Sequence, residues 1–190
     1  TEAEHCEVCG SLTEADVPVE IYYCQNCQIP IIVSVNEKSD KICCPNCGMR
    51  IKRLCKDLRP VFPEERLLLE ILVAKPLAYL EKSVWACGSR YYIDGKSMAV
   101  PLKVFAEANT KEIRQNLEKW RLQNSYEYFE AQMKRFIVAN AKRLTAMKEE
   151  AFRFIRETAA KFPQEQIVLS FSGGKDSTVT ADLAVRALAN

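Results

Sequence analysis

The sequence predicts an α+β chain: a cysteine-rich β module, a small α+β module, a helical segment with one long helix, and then the first β-loop-α unit of a parallel α/β domain. Three observations predict it. Cysteines recur as C-x-x-C pairs between short β-branched runs in the first third of the chain. Apolar residues recur at helical spacing between Tyr126 and Ile155. A short apolar run, Gln166-Ile167-Val168-Leu169, leads through a Gly-rich turn into a second helical pattern ending at Leu188. The predicted divisions are residues 1–59, 60–108, 109–163 and 164–190.

In the first division, Val19-Glu20-Ile21-Tyr22-Tyr23 reads as a strand entering Cys24-Gln25-Asn26-Cys27. Ile29 to Val35 is an apolar strand, and 36–40 is a polar turn. Lys41-Ile42-Cys43 then enters Cys44-Pro45-Asn46-Cys47-Gly48, and Met49 to Leu54 alternates as a strand does. Pro60-Val61-Phe62-Pro63 marks a boundary. Pro63 suits the first helical position, Glu64 and Glu65 suit the first turn, and the helix should end near Ala74, ahead of Lys75-Pro76. Residues 89–97 predict a hairpin turned at Asp94-Gly95. Asn109 with Glu112, and Asn124 with Glu127, have capping-box spacing. The second of these should open one helix over 125–161, with Phe129, Met133, Phe136, Ile137, Met147 and Phe154 on its apolar face. Core packing is the expected use of that face, and so long a helix also offers a homodimer seam.

Zinc-ribbon spacing is present in the cysteines. Cys24-x2-Cys27, sixteen residues, then Cys44-x2-Cys47 places two knuckles after two strands, which can supply four thiolates. A closed four-cysteine zinc site is structural, and metal replaces the core that so small a β module lacks. Cys6-x2-Cys9, beside the only histidine, His5, is a third knuckle. It either completes a second site with Cys43, Cys55 or Cys87, or displaces one of the other pairs. Thiolates alone do not select zinc over an iron–sulfur cluster. Cys55 and Cys87 have apolar neighbours and read as packing.

Composition sets further bounds. The net charge is +2, so the chain has no global polyanion-binding signature. No apolar run reaches membrane-spanning length, so a membrane partner is not expected. Nine cysteines, largely in knuckles, suit metal binding in a reducing compartment, hence the cytoplasm. Charge is uneven. Residues 1–37 hold seven acids and no Lys or Arg, whereas 38–59 hold seven basic groups and two acids. The cluster Arg50, Lys52, Arg53, Lys56 and Arg59 admits a tRNA- or DNA-backbone contact, or else a solvated face or a docking surface for the acidic N-terminal part.

The Gly-rich turn carries the most chemistry. Residues 170–178 read Ser-Phe-Ser-Gly-Gly-Lys-Asp-Ser-Thr. Glycines let backbone amides close around oxyanions, and a following helix N-terminus adds partial positive charge. Lys175 can neutralise phosphate, and Ser170, Ser172, Ser177 and Thr178 offer hydroxyls. The Walker pattern fails: Leu169 stands where its first glycine belongs, and Asp176 where its Ser or Thr belongs.

Ser172-Gly173-Gly174-Lys175-Asp176-Ser177 resembles the signature of the PP-loop ATP pyrophosphatases, which group with the phosphoadenosine phosphosulfate (PAPS) reductases. The resemblance covers Ala151 to Leu188. Zinc ribbons ahead of such a domain resemble a PAPS reductase-like branch. The resemblance implies a parallel α/β sheet, an adenine nucleotide (ATP or PAPS) on the loop, Lys175 and Asp176 in catalysis, Asp176 either orienting the loop or holding magnesium through water, and a sulfur donor protein as partner. PAPS reductases proper generally lack the Gly-Gly-Lys-Asp core, so this chain sides with the ATP-cleaving members. One strand and one helix cannot bury a parallel sheet. The chain is therefore expected to be the N-terminal part of a longer protein, and inactive alone.

Overall fold

The computed structural model describes residues 19–34 and 42–189. The third knuckle, Cys6-x2-Cys9, and the 36–40 turn lie outside the described residues. The architecture is α+β, in two compact units that meet in sequence at Asn140 and Ala141.

The first unit opens with a three-stranded antiparallel sheet, ordered β2-β1-β3, from β1 (Val19–Cys24), β2 (Ile29–Ser34) and β3 (Lys52–Cys55). Ile29, Ile31 and Val33 alternate on one face of β2 and bury against Ile51 and the cysteines. A second sheet runs β4 (Arg59–Pro60), β5 (Val84–Cys87), β6 (Arg90–Ile93) and β7 (Lys96–Ala99), all antiparallel and in sequence order. Helix α1 (Pro63–Leu72) starts on Pro63 as predicted, and its Leu69 closes a core with Val61, Val84 and Ala86. The predicted hairpin forms: Ile93 faces Lys96, and Asp94 and Gly95 both take positive φ, 50° and 76°. A Cβ on Gly95 would sit 2.4 Å from the Tyr23 ring, so the hairpin tip seats directly on the first sheet.

Buried charge fastens α1. Glu70, with no exposed surface, accepts from the amides of Leu77 and Tyr79 at 2.9 and 2.6 Å. Arg66 donates to the Leu80 carbonyl, to Asn124 and to the Ser125 carbonyl. Helices α2 (Leu102–Ala106) and α3 (Thr110–Trp120) follow, and Asn109 caps α3 by accepting from the amides of Lys111 and Glu112. The second predicted cap differs. Asn124 is taken by Arg66 and by the Pro63 carbonyl, to which it donates at 2.9 Å, and Ser125 Oγ accepts from Glu127 N instead.

The single helix expected over 125–161 is two helices, α4 (Glu127–Ala139) and α5 (Ala141–Ala159). Asn140 is the reason. Its Oδ1 accepts from Ile32 N at 2.7 Å, and its Nδ2 donates to the carbonyls of Pro30 and Phe136. It takes φ −105° and ψ 10°, out of helix, to satisfy the edge of β2 as a strand would. Phe136 of α4 packs on Trp85, with centroids 5.2 Å apart.

The second unit holds α5, a single 3-10 turn (Gln164–Gln166), and α6 (Lys175–Leu188). Phe152 and Ala187 are its buried apolar residues, and Arg156 Nε donates to the Ala187 carbonyl at 3.0 Å. The predicted strand over 166–169 is not a sheet strand here. Residues 167–172 belong to no ladder among the described residues. The physical reason is that a parallel strand exists only through bonds to neighbouring strands. Val168 is 86% exposed. An apolar groove of about 690 Å³ runs between α5 and α6, bordered by Phe154, Phe162, Val168, Val185 and Leu188. Among the described residues no helix is long and apolar enough to cross a membrane.

Candidate functional site

Two sites emerge, one in each unit. The first is the four-cysteine cluster. The β1–β2 turn and the turn after Cys43 are two copies of one knuckle. In both, the residue after the second cysteine has positive φ: 56° at Gln28 and 72° at Gly48. Cys44 N donates to the Met49 carbonyl, and Gly48 N to the Cys44 carbonyl, both at 2.8 Å. The pairing brings Cys24, Cys27, Cys44 and Cys47 together, with all four sulfurs within 4.8 Å of one another. Cys24 and Cys47 sulfurs lie 3.5 Å apart, and Cys27 and Cys44 sulfurs 3.9 Å. A tetrahedral zinc with Zn–S bonds of about 2.3 Å needs sulfurs about 3.8 Å apart. The donor set fits, and these residues are the ones that would hold the ion.

The thiols differ in environment. Burial pushes Cys24 up to about 12 and Cys27 upward. The Met49 backbone amide brings Cys47 down to about 6. One feature escaped sequence reasoning. Asn46 of the second knuckle donates to Cys27 of the first at 3.3 Å, and Asn26 of the first bonds Cys47 of the second. The signal was present as Asn-Cys in both knuckles. Such donors hold sulfurs that a metal would bind. Cys43 is exposed and outside the cluster.

The second site is the Gly-rich loop. Gly173 takes φ 76°, the left-handed conformation that glycine adopts without penalty, and Gly174 caps α6 with no side-chain bond. The first-turn amides of Lys175, Asp176 and Ser177 lie at the N-terminus of α6, the end of a helix that favours anions. Lys175 Nζ lies 2.8 Å from Asp176 Oδ1, with both side chains exposed. Ser172 Oγ donates to Ser177 Oγ at 3.1 Å, while Ser177 and Thr178 hydroxyls donate to the Gly174 carbonyl. The predicted residues 172–178 thus gather on one turn, their hydroxyls satisfied within the loop. Ser170, on the extended approach, is exposed.

The basic cluster is partly spent internally. Arg53 Nε pairs with Glu20 at 3.1 Å, an acid of the N-terminal part. Arg59 makes a two-pronged bond to Glu65 at 2.6 Å on each arm, and Tyr91 donates to the same carboxylate at 3.0 Å. Arg53 thus pairs with an acid of the N-terminal part, whereas the acid that Arg59 holds belongs to α1.

Residues 147–190 match the family model described as NAD synthase. The match spans the rest of α5, the loop and α6. It is similar to a PP-loop-type nucleotide-binding region, the broader grouping read from the loop, and does not single out PAPS reductases. No curated protein and no solved structure matches the chain.

Proposed function

We propose that the chain carries the nucleotide-binding loop of a PP-loop enzyme that cleaves ATP at the α-phosphate and adenylates an acceptor. The observation that carries this reading is a left-handed Gly173 leading into the N-terminus of α6, in the segment that matches NAD synthase. The amides of residues 175–177 would take phosphate oxygens, and Lys175 would leave Asp176 to neutralise the departing pyrophosphate. The freed Asp176 carboxylate is then available to magnesium through water. An acceptor oxygen attacks the α-phosphorus, the bond to the β-phosphate breaks, and pyrophosphate leaves with the electron pair. A sulfur or amine nucleophile then displaces AMP. Sulfur transfer is the favoured outcome, with a sulfur donor protein and a tRNA or DNA acceptor as the partners it requires. The four-cysteine site, closed on all sides by thiols, suits structural zinc rather than chemistry.

Pyrophosphate release and ATP binding by the intact protein test this reading. Lys175→Ala should lower one or both by about 100-fold while the circular dichroism spectrum is unchanged. Binding of PAPS but not ATP by the wild type, with Lys175→Ala changing nothing, would replace this reading with that of a thiol-dependent PAPS reductase.

A further inference from the structure

Arg53 and Arg59 are held by Glu20 and Glu65. The other cations of residues 42–60 and 84–100 are Arg50, Lys52, Lys56, Arg90 and Lys96, all exposed and without an acid partner among the described residues. Acids are scarce beside them. Asp94 is paired with Lys82 at 3.0 Å, which leaves Asp57 as the one uncompensated carboxylate in those two segments. Like charges gathered on a folded surface repel one another, and a polyanion laid over them relieves that repulsion.

Strand pairing sorts these cations by face. Along residues 50–53, Ile51 is buried among the cysteines and Arg53 turns to Glu20, so Arg50 and Lys52 lie on the other side. Lys52 is opposite Tyr23 in the β1–β3 ladder, and the Tyr23 ring meets Gly95 at the tip of the β6–β7 hairpin. On that hairpin Tyr92 lies across from Ser97, and Arg90 donates to Ser97 Oγ at 3.2 Å, so the three share a face. Trp85, paired with Tyr92, shares it too and packs on Phe136, which lies against the first-sheet core. Lys52 and Arg90 therefore border one seam, each from its own sheet. The form of the seam selects the polyanion. A duplex is read by a helix or a two-stranded ribbon that enters its groove. These cations stand on strands and turns, and the hairpin that carries Arg90 and Lys96 has its tip seated on Tyr23, so it cannot project into a groove. An unpaired RNA strand needs no projection. It sets phosphates on cations, and unstacked bases and 2′-hydroxyls on aromatic and hydroxyl side chains, here the partly exposed Tyr92 and the exposed Ser97.

We propose that this seam between the two sheets is a docking surface for single-stranded RNA, such as an unpaired loop or end of a tRNA. The inference rests on the ATP-cleaving reading for the use of that RNA as acceptor, and on the seam alone for its binding.

Binding of a fluorescently labelled tRNA transcript to the intact chain, followed across salt concentrations, is the measurement. The wild type should bind it with an affinity that falls steeply with salt. A single-stranded RNA oligonucleotide should compete, and a blunt RNA duplex should not. Lys52→Glu/Arg90→Glu should weaken binding by at least about 10-fold and reduce the salt slope by about two, with ellipticity and ATP affinity unchanged. Lys52→Gln/Arg90→Gln adds no new charge, should weaken binding several-fold, and serves where the reversal fails to fold. Lys111→Glu/Arg114→Glu, on α3, should change nothing. Duplex DNA or polyglutamate bound as tightly as tRNA, equal losses at α3 and at the seam, or tRNA affinity unmoved by both seam variants overturns the proposal. Those results leave pyrophosphate release from ATP as it is, and Lys175→Ala should leave tRNA affinity unchanged, so the docking surface and the ATP-cleaving reading fail separately.

Discussion

The two units handle apolar surface in opposite ways. The first, through Asn140, buries two clusters, one around Ile29, Ile31 and Val33 and one around Val61, Leu69 and Val84. The second leaves Phe154, Phe162, Val168, Phe171 and Val185 each more than half exposed. The candidate sites follow suit. The cysteine cluster is enclosed, and its ligands are aligned by antiparallel pairing within the same unit. The Gly-rich loop lies open on a helix end, beside an extended segment that has no strand partner among the described residues. A metal site can be specified by its own knuckles. A phosphate loop after a parallel strand takes its position from strands on either side. The same sequence therefore encodes one enclosed cluster and one loop that lies open beside the exposed Val168 and Phe171.

The sharpest way to break the contrast is to remove the metal. Structural zinc contributes on the order of 10 kcal/mol of folding free energy in small modules. Cys24→Ser, or chelation of the wild type, should release zinc and abolish hydrogen-exchange protection across β1 and β2. Helices α5 and α6 should keep their ellipticity, and the loop its affinity for ATP. Protection in β1 that survives complete metal removal would mean that apolar packing, not the ion, holds the first sheet.

Next in size is the seam inside the first unit. Gly95→Val places a branched side chain at φ 76°, on top of the Tyr23 ring. Strain and overlap together should cost about 3 kcal/mol, read as a lowered midpoint in urea. An unchanged midpoint would show that the hairpin tip does not bear on the first sheet.

What was legible in the sequence divides along similar lines. Local chemistry was readable: Pro63 at the start of α1, the positive-φ pair Asp94-Gly95, the Asn109 cap and both knuckles. Features decided at long range were not. Asn140 breaks a helical pattern because it bonds Ile32 and Pro30, more than a hundred residues earlier. Asn124 gives up its cap to serve Arg66 and Pro63. The 166–169 strand failed for the opposite reason. Its residues have strand composition, but pairing is a property of neighbours rather than of the segment. In the candidate site, residue identities were readable while their present bonding was not, since nothing local says that Lys175 rests on Asp176.

The two loop glycines sharpen the comparison at a smaller scale. Gly173 has positive φ, so Gly173→Ala should cost about 1 kcal/mol of local strain. Gly174 has φ −77°, and an added Cβ would meet only Ser172 Oγ, at 3.5 Å. Gly174→Ala should therefore leave the thermal midpoint unchanged. Its effect should fall on nucleotide affinity, because the methyl group occupies the space a phosphate needs beside the loop amides. Equal affinity in both alanine variants and the wild type would take the loop out of the binding site.

The smallest expected difference lies between two ion pairs. Arg59 grips Glu65 with both arms at 2.6 Å, and Tyr91 joins them, tying β4, α1 and β6 into one contact. The Arg59 guanidinium holds the Glu65 carboxyl below the usual carboxylate range, against partial burial, with Tyr91 contributing less. A carboxyl depressed in the folded state adds stability that is present above its unfolded value. That stability is lost as pH falls through the folded one. Both side chains keep some solvent contact, 44% and 29%, so the contribution is about 1 kcal/mol at neutral pH rather than the larger figure a sealed pair would give. Glu65→Gln should lower the thermal midpoint by a few degrees at pH 7 and leave it nearly unchanged at pH 3, flattening the acid limb of the stability profile. Lys175 and Asp176 form the counterpart in the second unit, 78% and 88% exposed. Asp176→Asn should shift the midpoint at neither pH, because water replaces a bond held at the surface. A neutral-pH loss at Asp176 as large as that at Glu65 would mean the loop is packed rather than open, and the contrast between the units would fail at its most exposed point.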